Sequence, residues 1–189
     1  MERLSGSPAV SRGAALRLFA TALCVVALDQ VIKAVVVSVL PSGRSVHFLG
    51  SIVRFTRTTN TGAAFGLLRG QGPWFIVVSA AAAIAIIVFR REIAKLRNWD
   101  QSAFGLILGG AIGNLIDRIR LGAVIDFIDI GIRDLRWPSF NVADSAISIG
   151  VVLLAYSFIF LPRSRDVAAN AAEEPSGADH AGSARWDER

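Results

Sequence analysis

Two aspartates in apolar surroundings are the residues on which chemistry could turn. Asp126 sits in "VIDFI", flanked by Ile125, Phe127 and Ile128, and Asp144 follows eighteen residues later at the head of a long hydrophobic block. Carboxylates are costly at the edge of a membrane. Two of them brought together at a low-dielectric boundary cannot both ionise cheaply, so one holds its proton and the pair becomes an acid and a base at once. Such a pair can activate a water to attack a carbonyl and then protonate the leaving amine. Taken singly, each has a plainer reading. Asp126 also fits a solvated loop residue or a helix N-cap, and Asp144 the N-cap of the last block, with Asn141 and Ser145 as further caps. Asp129 and Asp134 read as ordinary surface charges, and spacing alone does not separate them from Asp126.

Other polar residues keep company with the pair. In "GGAIGNLIDRIRLG" Asn114 and Arg118 are four apart and share a helix face, with Asp117 on the next strip. A buried amide in a span must be hydrogen-bonded, whereas Arg118 also fits an interfacial anchor. Gly109, Gly110 and Gly113 suit a close helix crossing. In "LDQVIKAVV" Asp29 and Lys33 are four apart and can neutralise each other along one face, either as structure or as a brace for the site. The single cysteine, Cys24, lies mid-block and reads as a lipid-facing or packing residue. With only two histidines, His47 at an interface and His180 in a polar tail, no metal site is expected.

The elements that must position these residues follow from composition. The 189-residue chain is 53% hydrophobic and 19% charged, with a mean hydropathy of +0.51. Its apolar residues fall in blocks about as long as a bilayer core is thick, roughly 20 residues. Four spans are expected: Ala15 to Leu40, Trp74 to Phe89, Ala103 to Ile119 and Val142 to Leu161. The first resembles a signal peptide in its flanks but is too long for one and reads as an uncleaved span. Arg90, Arg91, Lys95 and Arg97 crowd the loop between spans two and three and mark it cytoplasmic. Alternation then puts both termini in the cytoplasm and residues 41–73 and 120–141 outside, with Trp74 and Trp137 near the outer boundary. Val53 and Phe55 alternate with Arg54 and Thr56 as in a short strand, and Asn60 to Gly62 reads as a turn. The expected fold is thus an all-α membrane protein with a small outer-face β cradle. Residues 1–14 and 162–189 flank that 15–161 domain as cytoplasmic tails, the second of them disordered.

Five stretches in one order carry a resemblance: "DQVIK" (29–33), "NTGAAFG" (60–66), "GGAIGNLIDR" (109–118), "GAVIDFID" (122–129) and "FNVADSAI" (140–147). Together they resemble the lipoprotein signal peptidase (signal peptidase II) family. The resemblance implies an aspartic endopeptidase of the bacterial inner membrane, without cofactor. Its substrates would be prolipoproteins carrying a diacylglyceryl cysteine, cut just before that cysteine at the outer face. It implies Asp126 and Asp144 as the catalytic dyad, and Asn60, Asn114, Arg118 and Asn141 as residues that hold the substrate or steady the dyad. Asp29 and Lys33 match a polar pair of the first span, and Asp129 and Asp134 are set aside. Membrane lipid is an expected partner and nucleic acid is not; a site within one chain makes a monomer sufficient. Two other classes bear on the same residues. An ion-coupled transporter would need acidic groups across the whole membrane, whereas these crowd the outer side. A scaffold would leave the paired aspartates and Asn114 unexplained.

Overall fold

The structure, a computed structural model, describes residues 12–62, 72–133 and 135–161. The expectations for both terminal tails, for Asp134 and for most of "NTGAAFG" lie outside the described residues. In chain order the elements are α1 (Arg12–Val39), β1 (Ser45–Leu49), β2 (Val53–Asn60), α2 (Gly72–Val88), α3 (Arg90–Ile93), α4 (Asn98–Leu121), β3 (Val124–Ile132), β4 (Leu135–Arg136) and α5 (Val142–Phe160).

Among the described residues three helices, α1, α4 and α5, are long and apolar enough to cross a membrane. That corrects the expected count of four. The second block does form a helix, but α2 has only 17 residues. At about 1.5 Å per residue that is roughly 26 Å, short of a hydrocarbon core of about 30 Å. Apolar side chains such as Leu23, Val31, Ile84 and Ile119 are exposed on the helix surfaces, as lipid-facing positions should be.

α1 and α4 pack tightly because α4 offers a stripe of glycines four apart. A Cβ on Gly105 would lie 2.6 Å from the Leu18 carbonyl oxygen, one on Gly109 2.6 Å from that of Ala22, and one on Gly113 2.8 Å from the Asp29 carboxylate. Small residues at this spacing let two backbones approach closely in lipid. Around the crossing, Leu18, Ala22, Ala83, Ile86, Ile93 and Leu108 form a core joining α1, α2, α3 and α4. Gly110 performs the same service toward α5, where an added Cβ would strike the Ala143 carbonyl and lie 2.6 Å from Ile147 Cγ1. The compact unit that contains all these contacts ends at Ala155; a second begins at Tyr156, whose ring touches Phe160.

Four strands form one antiparallel sheet in the order β1-β2-β3-β4. One short strand at residues 53–56 is what the sequence predicts, with residues 120–141 as an outer segment; the observed sheet is larger, and β3 runs through that segment. Gly122, at φ 69°, ends α4 and turns the chain into β3. Val36, Leu40 and Phe127 bury the sheet against the end of α1.

Candidate active site

Asp126 lies mid-strand in β3 and is 2% exposed. It is neither a loop residue nor a cap. The β2–β3 ladder shifts register between Phe55 and Thr58, and the amides of Phe127 and Ile128 both donate to the Phe140 carbonyl at 3.0 and 2.8 Å. Two amides on one acceptor mark a bulge, which re-aims neighbouring side chains. Asn141 stands just before α5, and its Oδ1 accepts the amide of Asp144 at 2.9 Å, so Asn141 is the N-cap and Asp144 lies in the first turn. The Asn141 Nδ2 donates to Asp126 Oδ1 at 2.8 Å. One side-chain amide therefore grips both aspartates, one through its carboxylate and one through its backbone.

Two more amides complete the set. Asn60, at the end of β2, donates to Asp126 Oδ2 at 3.1 Å, and its own Oδ1 accepts the Gly62 amide at 3.0 Å. Asn114, on α4, donates to Asp144 Oδ1 at 2.7 Å and accepts from Asn141 at 3.2 Å.

Beneath this layer lies a buried charged cluster. The Lys33 Nζ is 2.7 Å from Asp29 Oδ2 and 2.7 Å from Asp117 Oδ2, and all three residues are at most 3% exposed. Each carboxylate has a second task. Asp29 Oδ1 accepts the amide of Ala143 at 3.0 Å, and Asp117 Oδ2 accepts the amide of Ile125 at 3.2 Å. Those amides belong to the residues immediately before Asp144 and Asp126. Gln30 Nε2 also spans the two carboxylates, at 3.2 Å to Asp29 and 3.0 Å to Asp117. Charges this deep need partners and full hydrogen bonding, and here they have both.

The environment moves the strand carboxyls in opposite directions. Burial, and then the negative charge of Asp144, push Asp126 up to about 7 against the two amides that favour its ionised form. Burial alone would also push Asp129 up, but the guanidiniums of Arg136 and Arg54 outweigh it and hold that carboxyl below its usual range. Asp129 is thus no ordinary surface charge. It is 6% exposed, with Arg136 Nε at 2.8 Å and Arg54 Nη2 at 2.7 Å.

Asp126 and Asp144 face a common cavity of about 610 Å³, whose walls include Phe75, Arg118, Val124, Trp137, Phe140 and Ile147. Arg118 lies with its guanidinium carbon 5.4 Å from the centre of the Phe75 ring and Nη1 3.4 Å from Ser79 Oγ. Among the described residues it makes no hydrogen bond to either aspartate. A second, open pocket of about 800 Å³ adjoins the first, sharing Asn60, Asp126 and residues 137–139.

All eight residues singled out in the sequence come together: Asp126 and Asp144 at the cavity, Asn60, Asn114 and Asn141 on them, Arg118 beside them, Asp29 and Lys33 beneath. Sequence reasoning missed the part played by Asp117 and Gln30. The signal for Asp117 was its place in a span three residues after Asn114, where an acid must find a cation. Gln30 offers no such signal, since a glutamine beside Asp29 equally suits solvent.

Residues 21–160 match a family described as signal peptidase (SPase) II. The chain is 47% identical over 138 residues to a lipoprotein signal peptidase of Nostoc punctiforme, covering 72% of this chain and 86% of that one. It is 41% identical over 141 residues to one of Halalkalibacterium halodurans, covering 75% and 90%. In three dimensions it is similar to a bacterial membrane enzyme whose structure was solved by the in meso method at 2.3 Å. The TM-score is 0.69 at 32% identity, covering 82% of this chain and 90% of the other.

Proposed function

The chain belongs to the signal peptidase II family, and on that premise we propose that Asp126 and Asp144 are its catalytic pair. Members of the family are multi-pass membrane proteins that remove signal peptides from prolipoproteins by an aspartic mechanism, and that is the activity of this chain. The observation that carries the assignment is the Asn141 side chain, bonded at once to the Asp126 carboxylate and the Asp144 amide above a shared cavity.

In this reading the pair shares one proton near neutral pH, and Asp126 carries it. Asp144 takes a proton from a water held between the carboxyls, and that water attacks the scissile carbonyl. Asp126 gives its proton to the carbonyl oxygen; as the intermediate collapses and the C–N bond breaks, Asp144 passes the water's proton to the leaving amine and Asp126 recovers its own from the hydroxyl. Asn60, Asn114 and Asn141 hold the carboxyls in place. Asp29 and Lys33 fix the backbone that bears them, and Arg118 offers donors to substrate carbonyls. The apolar walls of the cavity receive the diacylglyceryl cysteine, which sets the depth of the scissile bond just before it. The lipid is therefore needed for positioning. One chain supplies every group, so a monomer suffices.

The basic loop at residues 90–97 favours an orientation with both termini in the cytoplasm and the aspartates at the outer face. It requires α2 to return the chain across the bilayer despite its 17 residues, a shortfall that local thinning accommodates. A reporter fused after Leu161 should read as cytoplasmic and one inserted near Ser42 as external; the reverse at either place defeats the orientation. For the chemistry, Asp126→Asn and Asp144→Asn should each remain in the membrane, folded, and lose cleavage of a lipidated prolipoprotein. Near-native cleavage by either variant refutes the assignment.

A further inference from the structure

A peptidase must hold more of its substrate than the residue next to the bond it cuts, and the cavity beside Asp144 accounts for the lipidated cysteine alone. Its lining comes from α2, α4, α5 and the segment that leads into α5, much of it apolar. The open pocket on the other side of Asp126 has different chemistry. Thr56, Thr58, Thr59, Thr61 and Ser139 line it with hydroxyls, and Asn60, Asp126 and Trp137 border both spaces. We propose that this pocket is the subsite for the residues that follow the lipidated cysteine, that it binds an extended polypeptide through its main chain, and that it is indifferent to side-chain charge. The proposal rests on the peptidase reading above.

Three observations support it. Hydroxyls both donate and accept, which suits the alternating amides and carbonyls of a peptide. The strand edge favours it too, because β1 pairs with β2 only at Val53–Thr56, whereas Thr58, Thr59 and Asn60, which line the pocket, have β3 as their only strand partner among the described residues. The charges in the wall are spent on one another. Asp129 Oδ1 accepts from Arg136 Nε at 2.8 Å, and its Oδ2 from Arg54 Nη2 at 2.7 Å and Thr56 Oγ1 at 3.2 Å. Arg136 directs its remaining donors to the backbone, at 2.7 Å to the Ser51 carbonyl and 3.0 Å to that of Asp129. Of these three charged residues only Asp129 and Arg136 line the pocket, and their charges cancel; Arg54 lies outside the lining. One peptidase can then process precursors whose mature ends differ in charge.

The test uses the full chain in detergent and lipidated prolipoprotein peptides whose two residues after the modified cysteine are both Asp or both Lys. Wild type should cleave the pair with kcat/KM values within about twofold of each other, since no unspent charge faces them. Asp129→Asn leaves Arg54 and Arg136 in excess and should shift the ratio toward the acidic peptide. Arg136→Gln should shift it toward the basic one. Each shift should be on the order of fivefold or more, the effect of a unit charge a few ångströms away at a wet surface. Ratios unchanged in both variants, or a strong charge preference in wild type, overturn the subsite while the peptidase reading stands. If wild type cleaves a peptide with two Ser at those positions but neither charged one, the subsite proposal falls; if it cleaves none of the three, the peptidase reading falls. Should neither variant fold, Thr59→Val on the exposed rim decides. It should raise KM about threefold, the loss of one neutral hydrogen bond, and an unchanged KM overturns the proposal.

Discussion

Replacing Asp126 by Asn should make the protein's stability respond differently to pH, in a direction fixed by the environment of the carboxyl. An unfolded Asp126 titrates near 3.8, whereas in the folded chain burial and the charge of Asp144 push it up to about 7. The folded state therefore binds the proton more tightly, and ionising Asp126 costs stability. The cost is absent below about pH 4, grows as pH rises, and is complete above about pH 7. A displacement of about three units corresponds to about 4 kcal/mol at most, and the open side of the cavity lowers that ceiling. The Asn variant cannot ionise, so it escapes the cost. It carries a constant penalty instead, because its own amide faces the Asn60 Nδ2, which donates to Asp126 Oδ2 at 3.1 Å. Two opposed donors cost about 1–3 kcal/mol. The variant should be less stable than wild type at pH 5 and should gain on it steadily up to pH 8. Thermal unfolding in detergent at closely spaced pH values reads the difference. Parallel stability curves from pH 5 to pH 8 refute the reasoning. The same proton links stability to rate: cleavage by wild type should fall as pH rises past about 7, where Asp126 loses it.

Lys33→Met leaves Asp29 and Asp117 facing each other without their cation, and breaking a buried pair in this way costs about 3–5 kcal/mol. Cleavage should fall with it by on the order of 10²-fold, because both carboxylates steer the backbone of the dyad; near-native unfolding and turnover would contradict the clamp. Gly110→Ala drives a methyl group into the Ala143 carbonyl next to Asp144. Unfolding measurements should show about 1–3 kcal/mol of destabilisation, with a disproportionate loss of kcat even where the protein remains folded. Truncation from Asp166 onward removes a segment with no apolar pattern to dock it and should leave cleavage of a membrane-embedded precursor unchanged.

The helices were legible because lipid imposes one simple demand, a long apolar run, and α1, α4 and α5 meet it within a few residues of the expected bounds. α2 was legible as a helix but not as a span of full length. The sheet was harder to see. The run from Val124 to Ile130 is rich in β-branched residues and follows a helix-ending glycine, which is a strand signal. It was masked by its position between two spans, where a loop is the simpler expectation. Asp129 was misjudged for the same reason. Without β2 and β4 beside it, nothing in "IDFIDIGI" foretells that Arg54 and Arg136 will enclose it.

Asp126 and Asp144 stood out because a carboxylate in apolar sequence demands an explanation. What the sequence could not convey is how they are held. The bulge at Phe127 and Ile128 depends on a contact with Phe140, and the Lys33 cluster joins α1 to α4. The logic of that cluster emerges only in three dimensions. Lys33 bonds to neither Asp126 nor Asp144. It neutralises two carboxylates, each bonded to the amide immediately before one of them. A single ammonium group thereby fixes the relative placement of a β-strand residue and a helix residue that share no covalent frame. Fixed spacing is what a shared proton requires, since the charge of Asp144 raises Asp126 only while the two remain close. On this argument the clamp sets the distance, the distance sets the titration of Asp126, and a conservative Lys33→Arg, longer and planar, should shift the pH at which cleavage falls even where the protein remains folded.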